Sequence, residues 1–410
     1  MLLAARSGNA CPGARFLLTT WLTSAAIAIA SAAPVSAQDS RADEIAAKER
    51  EKAANLSTYK PSRAEAFLVS LEENFASPPN GFYPELSSIY QGGGFTLGAG
   101  YRRFFASNAV WNARGLYSVK NYKQIEIGAR TPWFTNGRWT VDTRLGWLDA
   151  PQVAYYGIGM ADGAIRANSR LQQTYATALA EVRPSRWSRL IGEVSYDDYI
   201  TEPGQGSAPS IETIYNASDT PGLFADPAFL RTEGTAAIDW RPAAAYARKG
   251  GYYGVTLTNY ADRDDTYNFK RMEGQIVQHL PILRETWVIS LRGRVQSVVG
   301  DDDVVPYFLL PQLGSGRTLR GYESGRFRDR HSLLTSAEFR WIPNRLGLDI
   351  ALFYDAGKVT SRREDLDFDS LKSDWGIGAR FHGPTATVLR IEGAKGTDGW
   401  RLVVSTGPAF

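Results

Sequence analysis

The chain has 410 residues, a formal net charge of +3, 39 glycines, three histidines and one cysteine. Nearly cancelling charge leaves no basic surplus for nucleic acid, and so few His and Cys leave little for metal or thiol chemistry. No metal, cofactor or catalytic group is expected.

Arg6 and Arg15 flank the start of an apolar stretch, FLLTTWLTSAAIAIASAA (16–33), which runs into Val35-Ser36-Ala37, a small-residue cleavage site. Residues 1–37 read as a signal peptide with Gln38 as the first mature residue. Cys11 precedes the apolar stretch, so the exported chain would carry no cysteine and is not a disulfide scaffold. No other stretch approaches the roughly 18 apolar residues of a membrane-spanning helix. The choice is then between a soluble exported protein and a transmembrane barrel. Residues 38–90 read as a short helical periplasmic arm or plug. RADEIAAKEREKAANL is rich in helix formers, and SRAEAFLVSLEENF places Phe67, Leu68, Leu71 and Phe75 at helical spacing. The segment is too short for a substantial core of its own.

From residue 91 the period changes to two. The glycine-rich QGGGFTLGAGY (91–101) reads as the first strand, weakly paired with the last. Leu190, Val194 and Tyr196 oppose Glu193 and Ser195. Leu333, Ala337, Phe339 and Trp341 oppose Ser336, Glu338 and Arg340. Leu346, Leu348, Ile350, Leu352 and Tyr354 oppose Gly347, Asp349, Phe353 and Asp355. Trp375, Ile377, Ala379 and Phe381 oppose Gly376, Gly378, Arg380 and His382. In the last strand Trp400, Leu402, Val404 and the terminal Phe410 oppose Arg401, Ser405 and Gly407.

A sandwich buries the apolar face of such strands, whereas a membrane barrel turns it to lipid and the polar face to the lumen. Tryptophans near strand ends (Trp111, Trp133, Trp139, Trp147, Trp187, Trp240, Trp287, Trp341) favour the barrel, because interfacial girdles are aromatic. About sixteen strand candidates follow. Short connections carry Pro151, Pro184, Pro242, Pro281, Pro343 and Pro384, and long ones fall near 200–230, 300–331 and 357–372. Short turns on one side and long loops on the other are the habit of outer-membrane barrels. The fold expected is all-β: a 16-stranded antiparallel transmembrane barrel over 91–410.

The stretch LLPQLGSGRTLRGYESGRFRDR (309–330) interrupts this rhythm. Gly314, Gly316 and Gly321 permit tight turns, while Arg317, Arg320, Arg326, Arg328 and Arg330 need carboxylates if they leave water. Glu338 and Asp355 lie on the neighbouring polar faces, within reach of a forked guanidinium. Here the sequence resembles the Omp85 superfamily, which includes barrel-assembly outer-membrane proteins and two-partner secretion transporters. LRGY (319–322), SAEFRW (336–341) and ALFYDAGKV (351–359) carry the resemblance. It implies that Leu319, Arg320, Gly321 and Tyr322 form the tip of a sixth extracellular loop folded into the barrel, with Glu338 and Asp355 as acidic partners of Arg320. Phe353, Asp355 and Gly357 fit the family's F-x-D-x-G strand motif. Trp400, Leu402, Val404 and Phe410 resemble its C-terminal targeting signal. Residues 38–90 are too short and too helical for a POTRA domain.

The implied work is outer-membrane biogenesis or the movement of protein or lipid. The alternatives are a passive solute channel or a structural protein. Expected partners are outer-membrane lipids, lipopolysaccharide and a periplasmic protein docking on residues 39–79. His279, His331 and His382 have no G-x-S-x-G serine nearby. The acidic runs at 262–265 and 301–303 match no calcium-loop spacing.

Overall fold

The computed structural model describes residues 37–54, 70, 80–105, 109–283, 285–300, 305–343, 347–383 and 385–410. The signal-peptide residues before Ala37, the helical spacing at Phe67, Leu68, Leu71 and Phe75, the acids at 301–303, Leu346 and Pro384 lie outside them. Helix α1 (Ala37–Ala54) takes up the first run of helix formers; Glu44 and Lys48 sit one turn apart at 3.9 Å, both exposed.

The strands are β1 (Gly81–Leu86), β2 (Thr96–Phe105), β3 (Ala109–Ser118), β4 (Lys123–Arg130), β5 (Trp139–Tyr155), β6 (Ala167–Val182), β7 (Ser188–Pro203), β8 (Ala228–Asp239), β9 (Gly250–Asp262), β10 (Phe269–Ile282) and β11 (Trp287–Val299). Then come β12 (Gln312–Leu313), β13 (Phe327–Arg328), β14 (His331–Trp341), β15 (Leu348–Thr360), β16 (Lys372–His382), β17 (Thr387–Gly396) and β18 (Gly399–Ser405). All but β12 and β13 belong to one 16-stranded antiparallel sheet whose order follows the chain. It is a transmembrane barrel. β12 and β13 form a separate ribbon within the loop between β11 and β14.

Which face is wet decides the environment. Ile127 is 55% exposed, Leu145 62%, Leu257 58%, Ile377 51% and Leu402 71%, while Glu126, Asp142, Asp197, Glu338, Asp355 and Arg380 are buried inside. A soluble protein does not present a continuous aliphatic band of this kind, whereas lipid requires one. In β14, Ala337, Phe339 and Trp341 face out as expected, while Leu333 is covered. Trp139, Trp187, Trp240, Trp287 and Trp341 gather at the short-turn end, where Trp287 and Trp341 stack at 5.7 Å. Trp147 instead lies in the middle of β5.

Three expectations are corrected. The glycine-rich stretch is not the edge of the sheet, because β1 precedes it and pairs with β2 from Gly81↔Arg102 to Leu86↔Leu97. The short run GFYPEL hides its period behind Pro84, a residue tolerated in an edge strand because no ladder bond is needed there. Pro151 is not in a turn. It sits inside β5 where the register with β6 shifts between Ala150 and Val153, and a bulge likewise spares proline its missing donor. Pro281 is also inside a strand, paired with Val288 near the end of β10. Finally, β18 stops at Ser405, and Phe410 is not on its lipid face: the ring lies 6.3 Å from that of His279 and 4.9 Å from the Arg292 guanidinium, both buried. Gly407, with a positive φ of 76°, turns the chain there.

Placing a charge on the aliphatic band should be costly. Ile377→Arg, midway along β16, is expected to destabilise the barrel by roughly 2–4 kcal/mol, and Ile377→Leu by far less, in denaturant titrations of folding into lipid vesicles.

Candidate functional site: the arginine-tipped loop

The loop between β11 and β14 folds on itself before it meets the wall. Leu313 pairs with Phe327 across the β12–β13 ribbon. Gly325 N–H donates to Gly314 O at 3.0 Å, and Tyr322 N–H to Leu319 O at 3.2 Å. Leu313, Leu319, Tyr322, Phe327, Leu334 and Val359 then pack as one buried apolar cluster. Leu334 and Val359 belong to β14 and β15, so the loop shares a small core with the wall and its tip is held against it.

That tip places Arg320 against the barrel wall. Its Nε donates to Asp355 Oδ2 at 2.7 Å and its Nη2 to Asp355 Oδ1 at 3.0 Å, a bidentate fork. Nη1 donates to Glu338 Oε2 and to Glu392 Oε1, each at 3.2 Å. The guanidinium carbon lies 3.4 Å from the centre of the Phe353 ring, on whose face it stacks. Arg320 is 1% exposed, Glu338 3%, and Asp355 and Glu392 are fully buried. Strand periodicity makes this possible: Phe353 and Asp355 are two apart on β15, so both point inward, and Glu338 sits cross-strand from Phe353 on β14.

The cluster extends beyond the tip. Arg380 forks onto Glu338, and its Nη2 donates to Glu392 at 2.9 Å. Arg390 donates to the other Glu392 oxygen at 2.8 Å and to Gly316 O in the loop at 3.2 Å. Glu338 and Glu392 thus each lie between Arg320 and Arg380, while Asp355 is held, among the described residues, by the Arg320 fork alone. Asp374, directly across from Asp355 on β16, is also buried, and neither of its oxygens makes a hydrogen bond of normal geometry among the described residues.

Every residue of the tip has a contact that explains its type. A Cβ on Gly321 would come within 2.6 Å of Asp374 Cβ and of Gly396 N, so no side chain fits. The Tyr322 hydroxyl donates to Ser373 O at 3.1 Å and lies 3.1 Å from the Thr397 hydroxyl, while Arg401 holds its carbonyl. On the wall, Gly357 stands where a Cβ would come within 2.6 Å of Leu333 O and 2.9 Å of Leu313. Trp400, Leu402 and Val404 face outward from β18.

Sequence reasoning paired Arg320 with Glu338 and Asp355, and the structure brings all three together. It missed Glu392, Arg380, Arg390 and Asp374. Arg380 had been placed on the polar face without a role. Glu392 lies in β17, two strands from β15, where no local pattern points to Arg320. Of the other loop arginines, Arg317 is exposed, and among the described residues only Arg326 meets a carboxylate. Arg326 donates to Asp398 at 2.8 Å, Arg328 to Gln312 at 2.9 Å, and Arg330 to Gly300 O.

Residues 104–396 match the family model described as the Omp85 superfamily domain. The chain belongs to the Omp85 superfamily. No curated protein sequence matches it. Among solved structures it is similar to BamA from Haemophilus ducreyi lacking POTRA domains 1–3, at TM-score 0.58 and 12% identity, covering 77% of this chain and 67% of that one. It is also similar to CdiB from Escherichia coli (TM-score 0.53, 12% identity, 80% and 61% covered) and CdiB from Acinetobacter baumannii (0.50, 11%, 80% and 57%). It thus spans less than two thirds of either CdiB chain. At these identities the likeness is one of fold. As an Omp85 barrel the protein resides in the bacterial outer membrane, and among its described residues there is no POTRA domain.

Removing either side of the central pair strands a buried charge. Arg320→Ala and Asp355→Asn are each expected to cost roughly 3–5 kcal/mol where desolvation is complete. The double variant should lose less than the sum. Heat-modifiable gel mobility and denaturant titration read both; fully additive losses would mean that the two side chains act independently.

Proposed function

We propose that this Omp85 barrel works in outer-membrane biogenesis or in moving protein or lipid, with its loop locked inside the lumen at rest, and not as a standing solute pore. One observation carries the reading: the Arg320 guanidinium is buried among three carboxylates and an aromatic ring. A loop held this way is a seal that opens only when a multi-residue network is broken.

Further contacts support a closed resting state. On the long-loop side Tyr155, Tyr199, Phe229, Tyr260, Tyr307 and Phe308 belong to one buried cluster. Arg166 pairs with Glu323 at 2.9 Å and Asp162 with Lys372 at 2.6 Å, tying separate loops together. On the short-turn side, Tyr246 of the β8–β9 connection reaches Asp349 at 2.9 Å and His382 at 2.9 Å, and Arg340 holds the Ala247 carbonyl. Phe410 closes on His279 and Arg292 nearby. Open volume remains on the β2–β5 side, a cavity of about 610 Å³ lined in part by Arg102, Arg114, Glu126, Arg130, Asp142 and Arg144.

The reading is not enzymatic. His279 pairs with Ser290 at 2.8 Å and His331 with Ser297 at 2.7 Å, while the His382 ring, with Asp349 at 3.1 Å, meets the Tyr246 hydroxyl and the Gly383 carbonyl. Lipopolysaccharide and outer-membrane lipid surround the barrel in this reading, and residues 39–79 supply the contact with a periplasmic partner.

In planar bilayers the purified protein should give small, erratic currents, and Arg320→Ala should open longer and larger steps. Steady, size-defined conductance from the unaltered protein would favour the porin reading. Depletion in cells followed by outer-membrane proteomics addresses the wider role. A general assembly factor should lower the amounts of other barrels, and unchanged amounts would count against that role.

A further inference from the structure

We propose that the short-turn rim over β2–β7 is a binding surface for anionic glycerophospholipid headgroups of the inner, periplasmic leaflet. The observation is a charge asymmetry tied to a particular arrangement of side chains. The β4–β5 and β6–β7 turns hold Arg138, Arg183 and Arg186 and no acid. The remaining short turns hold Arg241, Arg248, Lys249, Arg284 and Arg345 against Glu285 alone. Two of the long connections lean the other way, residues 204–227 with three acids and no base and residues 361–371 with four acids and two arginines, and residues 300–330 balance at five of each.

The first three arginines form one patch. Arg183 N–H donates to Arg138 O at 2.6 Å, joining the two turns. The Arg186 guanidinium lies 4.2 Å from the Trp187 ring centre, and that of Arg183 lies 4.1 Å from that of Trp133, which borders the cavity beside Asp142 and Arg144. Trp139 packs on Phe134 at 4.3 Å and starts the lipid-facing series of β5. All of these side chains are exposed. Arg183 shares Glu181 with Arg189, whereas Arg138 and Arg186 have no acidic partner among the described residues. On β2, Arg103 lies on the lipid-facing side, cross-strand from Trp111 and two residues from the strand end.

Each part has a physical reason at a membrane interface. Indole rings settle at headgroup depth. A guanidinium laid on an indole keeps its donors free at that depth, and Arg103 can extend along the wall to the same plane. Arginine forks onto phosphate bidentately, and three forks on adjoining turns exceed what a zwitterionic headgroup with its own cation would reward. A soluble acidic protein would also answer the charge, but it would leave the outward-facing Trp139, Trp111 and Arg103 unexplained. Assignment of this rim to the periplasmic side follows from its short turns.

The test uses the folded protein in phosphatidylcholine vesicles containing either brominated phosphatidylglycerol or brominated phosphatidylcholine at equal mole fraction, with tryptophan fluorescence as the readout. Trp111, Trp133, Trp139 and Trp187 lie at this rim. The expected result is stronger quenching by the brominated anionic lipid, with a local enrichment of about tenfold that shrinks in high salt. Arg138→Gln/Arg183→Gln/Arg186→Gln should abolish the preference, and Arg263→Gln/Arg362→Gln/Arg363→Gln on the other side should keep it. Equal quenching by the two lipids in the unaltered protein, or an unchanged preference in the first triple variant, overturns the proposal. The salt series on the unaltered protein decides the matter even if that variant fails to insert. A preference lost equally in both triple variants would also overturn it, since the site would not be the rim.

Discussion

A guanidinium removed from water must meet carboxylates or destabilise whatever surrounds it. Arg320 sits at the tip of a loop that would otherwise be solvated, yet it is 1% exposed and touches Asp355, Glu338 and Glu392. Much of the wall around it follows from that placement. Three inward acids on β14, β15 and β17 require further cations, and Arg380 and Arg390 supply them. Gly321 leaves the backbone close enough to Asp374 and Gly396 for the arginine to reach. The apolar cluster of Leu313, Leu319, Tyr322 and Phe327 keeps the loop stiff enough to deliver the charge in one position. Removing the acids would leave the buried tip cation without a counter-charge.

The same network bears on what the barrel does. A passive pore gains nothing from burying several ion pairs across its channel. A barrel that must stay shut until a client or partner engages it gains a barrier to accidental opening. The contacts at the other end, where the β8–β9 connection and the C-terminal residues close over His382, His279 and Arg292, add a second barrier on the same half of the lumen. The remaining cavity lies on the opposite half, beside β2–β5.

Much of this was legible in the sequence. Alternation placed Phe353, Asp355, Glu338 and Arg380 on the inner faces, because a two-residue period fixes the side of every residue once one is known. Arg320 stood out because its loop was too rich in charge and glycine for an ordinary extracellular tip. Other features were hidden for physical reasons. β1 is short and holds Pro84, so its period could not be read. Pro151 looked like a turn because a bulge and a turn excuse the same missing N–H. The inward course of Phe410 depends on a left-handed residue at Gly407 and on a site between β10 and β11 that no local pattern announces. Glu392 needed a three-strand view, since it meets Arg320 only after β16 and β17 are in register.

The most direct test of the central claim is the reactivity of a cysteine beside the tip. The sequence has one cysteine, Cys11, in the segment read as signal peptide, so a single added thiol reports cleanly. Thr318→Cys replaces a residue 7% exposed, close to Arg320, and Arg362→Cys an exposed one on a neighbouring loop. With a membrane-impermeant maleimide on intact cells, the account predicts rapid labelling at 362 and slow labelling at 318 that accelerates when Arg320→Ala is added. Equal labelling at 318 and 362 in the otherwise unaltered protein would contradict it.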